Sequence, residues 1–213
     1  MEKLAEQAER MGVSLTDDQL AQVGVYLSEL EKWNVRINLV SSRAGPDLLA
    51  QHVLDSLTPI PHLEGIESLI DVGSGAGFPG IPIKIGRPGI RVYLIEARRK
   101  KCSFLTHVLS RLGLNGIEAI WARIEDPSVA ARFSDQKVDC MIARASLTEE
   151  ALFSAADDLL GEGGRIVLMK GAISEADRGK IETRAARYGR EIVEVFPYQF
   201  PWLRNERLLV VIE

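Results

Sequence analysis

The chain is poor in the residues that most often carry chemistry alone. It holds two cysteines and three histidines among 213 residues. Cys102 and Cys140 are far apart and outside any C-x-x-C pattern. That excludes a disulfide framework or a cysteine zinc site and leaves them as small buried hydrophobes. No histidine has a second histidine or cysteine at metal-ligand spacing, so no metal is expected. No Cys/His or Ser/His/Asp set stands out for nucleophilic catalysis. Apolar runs are short, none approaching the ~18 residues of a membrane span. The opening MEKLAEQAERMG alternates charged and apolar residues and lacks a signal-peptide core. A cytoplasmic protein with no membrane partner is therefore expected, and nothing demands more than a monomer. An excess of positive charge is missing too: the net charge is −4, which argues against a strongly basic nucleic-acid binder.

The charge that is present is unevenly spread. Residues 1–35 carry seven acids against three bases. Residues 84–111 carry eight bases (Lys84, Arg87, Arg91, Arg98, Arg99, Lys100, Lys101, Arg111) against one acid, Glu96. Local sign decides which surface meets a polyanion. Arg98, Arg99, Lys100 and Lys101 open a predicted helix, against the dipole preference for acids at that end. Two readings stay open for this run: a solvated helix start, or a surface for phosphates.

The first sixty residues read as helical. Thr16 is an N-cap with Asp17 and Asp18 in the first turn, and Leu20, Val23, Leu27 and Leu30 recur at helical spacing. PDLLAQHVLDSL is a second helix with Pro46 in its first turn, and Pro59 and Pro61 end the run. From residue 68, strand and helix alternate: SLIDV, PGIPIKIG, RVYLIE, RRKKCSFLTHVLSRLG, GIEAIW. Then follow VDCMIA, TEEALFSAADDLLG, GRIVLMKG and SEADRGKIETRAARYG, with EIVEVFPY and RLLVVIE as two closing strands. Continuous apolar strands separated by helices imply a parallel sheet covered on both faces. The closing pair, joined only by PYQFPWLRNE, implies an antiparallel return. The expected architecture is α/β, a Rossmann-like class I methyltransferase fold. Its sheet is mostly parallel and seven-stranded with an antiparallel last strand. A helical extension spans residues 1–64 and a cofactor-binding core residues 65–213.

Residues 69–83, LIDVGSGAGFPGIPI, contain two overlapping glycine spacings. Gly75, Gly77 and Gly80 fit the G-x-G-x-x-G turn of a dinucleotide enzyme. Gly73, Gly75 and Gly77 fit the G-x-G-x-G loop of a methyltransferase. Asp71 ends the preceding strand; a carboxylate there repels a pyrophosphate but suits the amino group and sulfonium of S-adenosyl-L-methionine. Glu96 ends the second strand, where an acid accepts hydrogen bonds from ribose hydroxyls. Pro79 presets the first helical turn, and Phe78 is an apolar wall for the ligand.

DVGSGAGFPGIPIKI, EARRKKCSFLTHVLSRLGL, ARIED, IARA and LMKG follow in order, with WNVRINLVSSR and QHVLDSL upstream and ERLLVVI at the end. This series resembles the RsmG (GidB) family of bacterial 16S rRNA methyltransferases over about residues 20–213. The resemblance implies S-adenosyl-L-methionine as cofactor and N7 methylation of guanine 527 in the 530 loop. The partner it implies is 16S rRNA or the small ribosomal subunit, mature or assembling. It also implies that Gly73 and Phe78 lie at the cofactor, Ile124 and Glu125 beside the adenine, and Arg144 at the cofactor and target pocket. Glu96 stands where many relatives carry Asp, and the His that often follows the Arg of ERLL is missing.

Guanine N7 has a free lone pair, so its methylation needs no general base, only alignment and tolerance of a purine that becomes cationic. Target-side groups should be cationic or amide. Arg144 and Lys170 follow the fourth and fifth strands, at the edge where ligands gather in open parallel sheets, and are the expected catalytic residues. Arg207 and Asn38, with Asn34 one helical turn away from Asn38, join the four-base run as candidate RNA contacts. His52 and Asp55 lie at i and i+3 of a helix and are either pocket-facing or structural; His107 reads as a hydrogen-bonded structural histidine. Two alternatives remain: a methyltransferase on another substrate, and a dinucleotide-dependent oxidoreductase or cofactor-binding module.

Overall fold

The computed structural model describes residues 1–40, 45–144, 149–202 and 206–213. Ser41–Arg43 of WNVRINLVSSR, Ala145 of IARA, Thr148 of the expected helix TEEALFSAADDLLG and Leu203–Asn205 of PYQFPWLRNE lie outside the described residues. Three helices come first: α1 (Glu2–Arg10), α2 (Asp17–Ile37) and α3 (Pro46–Leu57). Thr16 caps α2 in a reciprocal box with Gln19, which satisfies two backbone donors that the first turn would otherwise leave bare. Asn38 ends α2 in the left-handed region at φ 47°, a conformation asparagine tolerates better than most. Asn34 Oδ1 accepts the Val40 N–H at 2.9 Å just beyond it.

Strands and helices then alternate: β1 (Ser68–Val72), α4 (Gly80–Gly86), β2 (Arg91–Glu96), α5 (Arg99–Leu112) and β3 (Ile117–Trp121). After these come α6 (Pro127–Phe133), β4 (Val138–Arg144), α7 (Glu149–Leu159), β5 (Leu160–Gly171), α8 (Glu175–Arg187), β6 (Ile192–Tyr198) and β7 (Arg207–Ile212). The sheet has seven strands in the order β3-β2-β1-β4-β5-β7-β6. β7 enters between β5 and β6 and runs antiparallel to both. This is the mostly parallel sheet with an antiparallel last strand that the alternating pattern implied.

Alternation of side chains along each strand divides the core in two. Leu69, Leu94, Ile142, Met169 and Leu209 face one way and pack with α2, α3, α4 and α5. Val72, Met141, Leu168 and Val210 face the other way, toward α6, α7 and α8. Val23 and Tyr26 of α2 and Val53 and Leu57 of α3 share one apolar cluster with Ile81, Phe104 and Leu105. The N-terminal helices therefore bring their polar residues to the same face as the glycine turn.

Two local features depart from the sequence expectation. α6 was not foreseen. Seven residues are too few for a clear period, but a parallel crossover needs a covering element, and Asp126 caps it by accepting the Ser128 N–H at 2.9 Å. β5 starts at Leu160, directly after α7, rather than at Gly164. A register shift on β4 pairs Leu160 with Val138, and Gly163, at φ 69°, makes the bend that joins this piece to the rest. Among the described residues, no helix is long and apolar enough to cross a membrane.

Candidate functional site

The turn from β1 to α4 gives the glycines of the two spacings different parts. Gly73, Gly75 and Gly77 sit at φ 73°, 60° and 98°, the region that favours glycine. Gly80 does a different job. Its N–H donates to Asp71 Oδ2 at 2.9 Å, and a Cβ on it would strike Leu94 and Asp71. It allows α4 to lie close against the sheet. Five amides of the turn are also committed. Gly73 and Ser74 donate to the Ile95 carbonyl, Gly77 and Phe78 to the Ser74 carbonyl, and Gly75 to Glu96. A pyrophosphate cradle requires free amides aimed at the ligand, and here a carboxylate stands on each side instead.

Those carboxylates differ. Glu96 ends β2; its Oε2 accepts the Gly75 N–H at 2.9 Å and its Oε1 the Arg98 N–H at 2.7 Å. A carboxylate has about four acceptor sites, so both oxygens keep lone pairs for hydroxyl donors. Asp71 is fully buried, and its Oδ1 has no partner among the described residues. Burial pushes its carboxyl up to about 7, because an ion with an unpaired oxygen is costly away from water. A cationic group brought beside it would relieve that cost.

A cavity of about 400 Å³ opens at the carboxyl ends of β1, β2 and β3, with Gly73, Gly75, Glu96, Ile124 and Glu125 in its lining. A second, of about 200 Å³, shares Gly73, Gly75 and Lys101 with it and is lined by Phe78, His52 and Arg144. Ligands of open parallel sheets sit at this edge. Tyr26 supports the turn from behind: its hydroxyl donates to the Ala76 carbonyl at 2.7 Å and its ring meets Phe78 edge-on at 5.4 Å.

Arg144, the last residue of β4, is held by α3. Its guanidinium donates to His52 Nδ1 at 2.8 Å and to Ser56 Oγ at 3.2 Å, lies 3.1 Å from Asp55 Oδ2, and sits 5.5 Å above the Phe78 ring. An arginine only donates, so His52 accepts at Nδ1 and carries its proton on Nε2. Burial, with Arg144 beside it, lowers His52 to about 4 and keeps it neutral. Asp55 is the hub: besides Arg144 it accepts from Tyr198 Oη at 2.9 Å and pairs with Arg207 at 2.8 Å. His52 and Asp55 thus both reach Arg144; His52 lines the smaller cavity, while Asp55 is buried and lines neither. His107 instead meets Glu29 at 2.8 Å, far from the turn in role and contacts.

The remaining candidates divide. Lys170 Nζ faces Glu149 of α7, which also takes Arg184, and it lines neither cavity. Alternation along β5 explains this, since Met169 packs on the α3 side and Lys170 points to the α7 side. Arg207 begins β7 on the α3 side and joins Asp55. Asn34 is spent on the Val40 amide, and Asn38 is the exposed end of α2. Arg98, Arg99 and Lys100 are exposed, Lys101 is half-buried, and none of the four makes an ion pair among the described residues. Sequence reasoning missed Tyr26, Ser56, Tyr198 and the cavity-lining Arg123. Arg123 and Ser56 had local signals, their places inside ARIED and QHVLDSL.

The comparisons with known proteins agree with this geometry. A family model described as GidB, rRNA small subunit methyltransferase G, matches residues 19–205. A ribosomal RNA small subunit methyltransferase G of Syntrophotalea carbinolica is 37% identical over 211 residues, covering 99% of this chain and 96% of that one. One from Enterobacter sp. strain 638 is 35% identical, covering 100% and 98%. Among solved structures, a SAM-dependent methyltransferase from Aquifex aeolicus superposes with a TM-score of 0.61 at 15% identity, covering 87% of this chain and 97% of that one. Aeropyrum pernix fibrillarin, in complex with natively bound S-adenosyl-L-methionine, superposes at 0.57 with 18% identity, covering 78% and 74%. At those identities the structures speak for the fold alone.

Proposed function

Because the chain belongs to the rRNA small subunit methyltransferase G family, we propose that it methylates N7 of guanine 527 in the 530 loop of 16S rRNA, using S-adenosyl-L-methionine. The single observation that carries the reading is the pair of adjoining cavities across Gly73 and Gly75. One has a ribose-type acid, Glu96, and the other a guanidinium over an aromatic wall, Arg144 over Phe78. When bound, S-adenosyl-L-methionine supplies an electrophilic methyl group on a sulfonium. Glu96 would take the ribose hydroxyls, Ile124 and Glu125 would flank the adenine, and Asp71 would favour the positive end of the ligand from beneath the turn.

The target side needs little chemistry from the protein. Guanine N7 attacks with its own lone pair, so no residue has to remove a proton, and neutral His52 and buried Asp55 serve to aim Arg144 rather than to shuttle protons. Arg144 can donate to guanine O6 beside N7, the usual arginine contact on that edge. Arg207 would meet the RNA from the same cluster. Lys170, drawn into the Glu149 pair, contributes only by leaving that pair. Residues 1–64 act as a helical extension that holds the turn and Arg144 for a core over 65–213, and the four-base run meets phosphates of the small subunit.

The test is incubation of the purified chain with methyl-labelled S-adenosyl-L-methionine and small subunits that lack the modification, followed by mapping of the label. Stoichiometric label at N7 of guanine 527 is expected. Label on another nucleotide would overturn the site, and absence of label on any guanine N7 would overturn the reaction.

A further inference from the structure

Trp121 is the last residue of β3, the outermost strand at one side of the sheet, on the edge where the larger cavity opens. Among the described residues its side chain belongs to neither packed cluster, and the residue is 59% exposed. It is nevertheless held in place. The indole N–H donates to the Ala97 carbonyl at 3.0 Å, and the Arg99 guanidinium lies 5.4 Å from the ring centroid. Ala97 itself lines the cavity. An aromatic plane is thus fixed beside the cofactor cavity while most of it faces water.

Arg99 lies against the ring, and further cations neighbour Trp121 and Arg99 in the chain. Arg98, Arg99, Lys100 and Arg123 are exposed, and none of them makes an ion pair among the described residues. On a chain of net charge −4 this is a local reversal of sign. A tryptophan without an apolar cover, with Arg99 on its ring and exposed cations on either side of Arg99 in the chain, matches the two parts of a nucleotide: a base that stacks and a phosphate that needs positive charge. Phosphate contacts alone would leave the indole without a use, and sequence-tolerant recognition of unpaired RNA depends on such stacking.

We propose that Trp121, backed by Arg99, is a stacking platform for one unpaired nucleotide of the RNA substrate, separate from the nucleotide that is methylated. Arg98 and Lys100 take its flanking phosphates. The inference rests on the reading that the substrate is rRNA and adds a second point of attachment to it. Trp121 is a substrate-binding residue on this account and touches neither cofactor nor reacting atoms.

The test compares Trp121→Ala and Trp121→Phe with the unmodified enzyme, using small subunits lacking the modification. Loss of one stacked base corresponds to ~1–3 kcal/mol, so Trp121→Ala should raise KM for subunits about 5- to 150-fold at 1.4 kcal/mol per tenfold. It should leave kcat and the Kd for S-adenosyl-L-methionine unchanged, and Trp121→Phe should recover most of the loss. The salt slope of binding should persist in Trp121→Ala and flatten in Lys100→Ala. An unchanged KM overturns the platform. So does a weakened cofactor Kd, which would make Trp121 a wall of the cofactor cavity. Should the unmodified enzyme transfer no methyl to rRNA, the failure lies with the proposed reaction. Anisotropy with a labelled, unpaired ten-nucleotide RNA then decides the platform by itself. Weaker binding by Trp121→Ala supports it. Unchanged binding, or equal competition by an acidic peptide of the same length, overturns it.

Discussion

Replacing Asp55 by alanine tests the central geometry of the target side. The carboxylate accepts from Tyr198 and neutralises both Arg144 and Arg207. Its side chain is 4% exposed, Arg144 11% and Arg207 29%. Removing one partner of a buried ion pair costs about 3–5 kcal/mol, because the other charge stays buried without compensation. Arg207 can turn to water, whereas Arg144 is pinned between α3 and Phe78. The cost should therefore fall near the lower end, ~3 kcal/mol. For a chain of this size each kcal/mol moves Tm by roughly 2–4 °C, so calorimetry should show a drop of about 6–12 °C. Methyl transfer to small subunits should fall further than stability explains, since Arg144 keeps only His52 and Ser56 as anchors. Asp55→Asn can still accept from Tyr198 and should lie between the two. A Tm within about 2 °C of the unmodified protein, with full transfer, would refute the hub. A double-mutant cycle with Arg207→Met isolates that pair, and strict additivity would show that it contributes nothing.

Other consequences follow from single contacts. Gly80→Ala puts a Cβ against Leu94 and 2.8 Å from Asp71 Oδ2; overpacking of that kind costs about 1–3 kcal/mol, readable as a lower urea midpoint at unchanged slope. Tyr26→Phe leaves the Ala76 carbonyl without its donor at a cost of about 1–3 kcal/mol, and a shift below a few tenths of that in chemical denaturation would count against the buttress. Stability against pH has two opposed parts. His52, near 4 in the folded chain and 6.5 ordinarily, refuses a proton that the unfolded chain accepts, so its contribution is lost as pH falls from 6.5 toward 4. Asp71, near 7 against an ordinary 3.8, binds a proton in the fold first, so its contribution grows as pH falls from 7 toward 3.8. Asp71→Asn removes the second part and should steepen the acid-side loss in urea midpoints measured from pH 7 to 4; parallel curves would contradict the assignment.

The strands and most helices were legible because each carries its own period and caps, as Thr16 with Gln19 does. α6 was not legible, since seven residues with one cap give too little period to read. The acids at the ends of β1 and β2 were also visible from sequence, as was Arg144 at the end of β4. Their division of labour was not. Lys170 and Arg207 look alike as cations at strand ends, but pairing of Gly171 with Arg207 and the side chosen by α3 send one to Glu149 and the other to Asp55. That choice depends on which face a helix more than a hundred residues earlier covers. Tyr26 poses the same difficulty: its apolar neighbours on α2 predict burial, while its hydroxyl finds a carbonyl 50 positions away.

The committed amides of the glycine turn bear on turnover. A loop whose N–H groups already bond to Ile95, Ser74 and Glu96 does not have to be ordered by each incoming ligand, so little binding energy goes into shaping it. Donor and spent product would meet the same backbone, distinguished by the positive charge that the donor alone carries on sulfur. On the proposed reading the acids beside the turn would hold the sulfonium more tightly than the neutral thioether, and a turn already ordered would take the next donor without refolding.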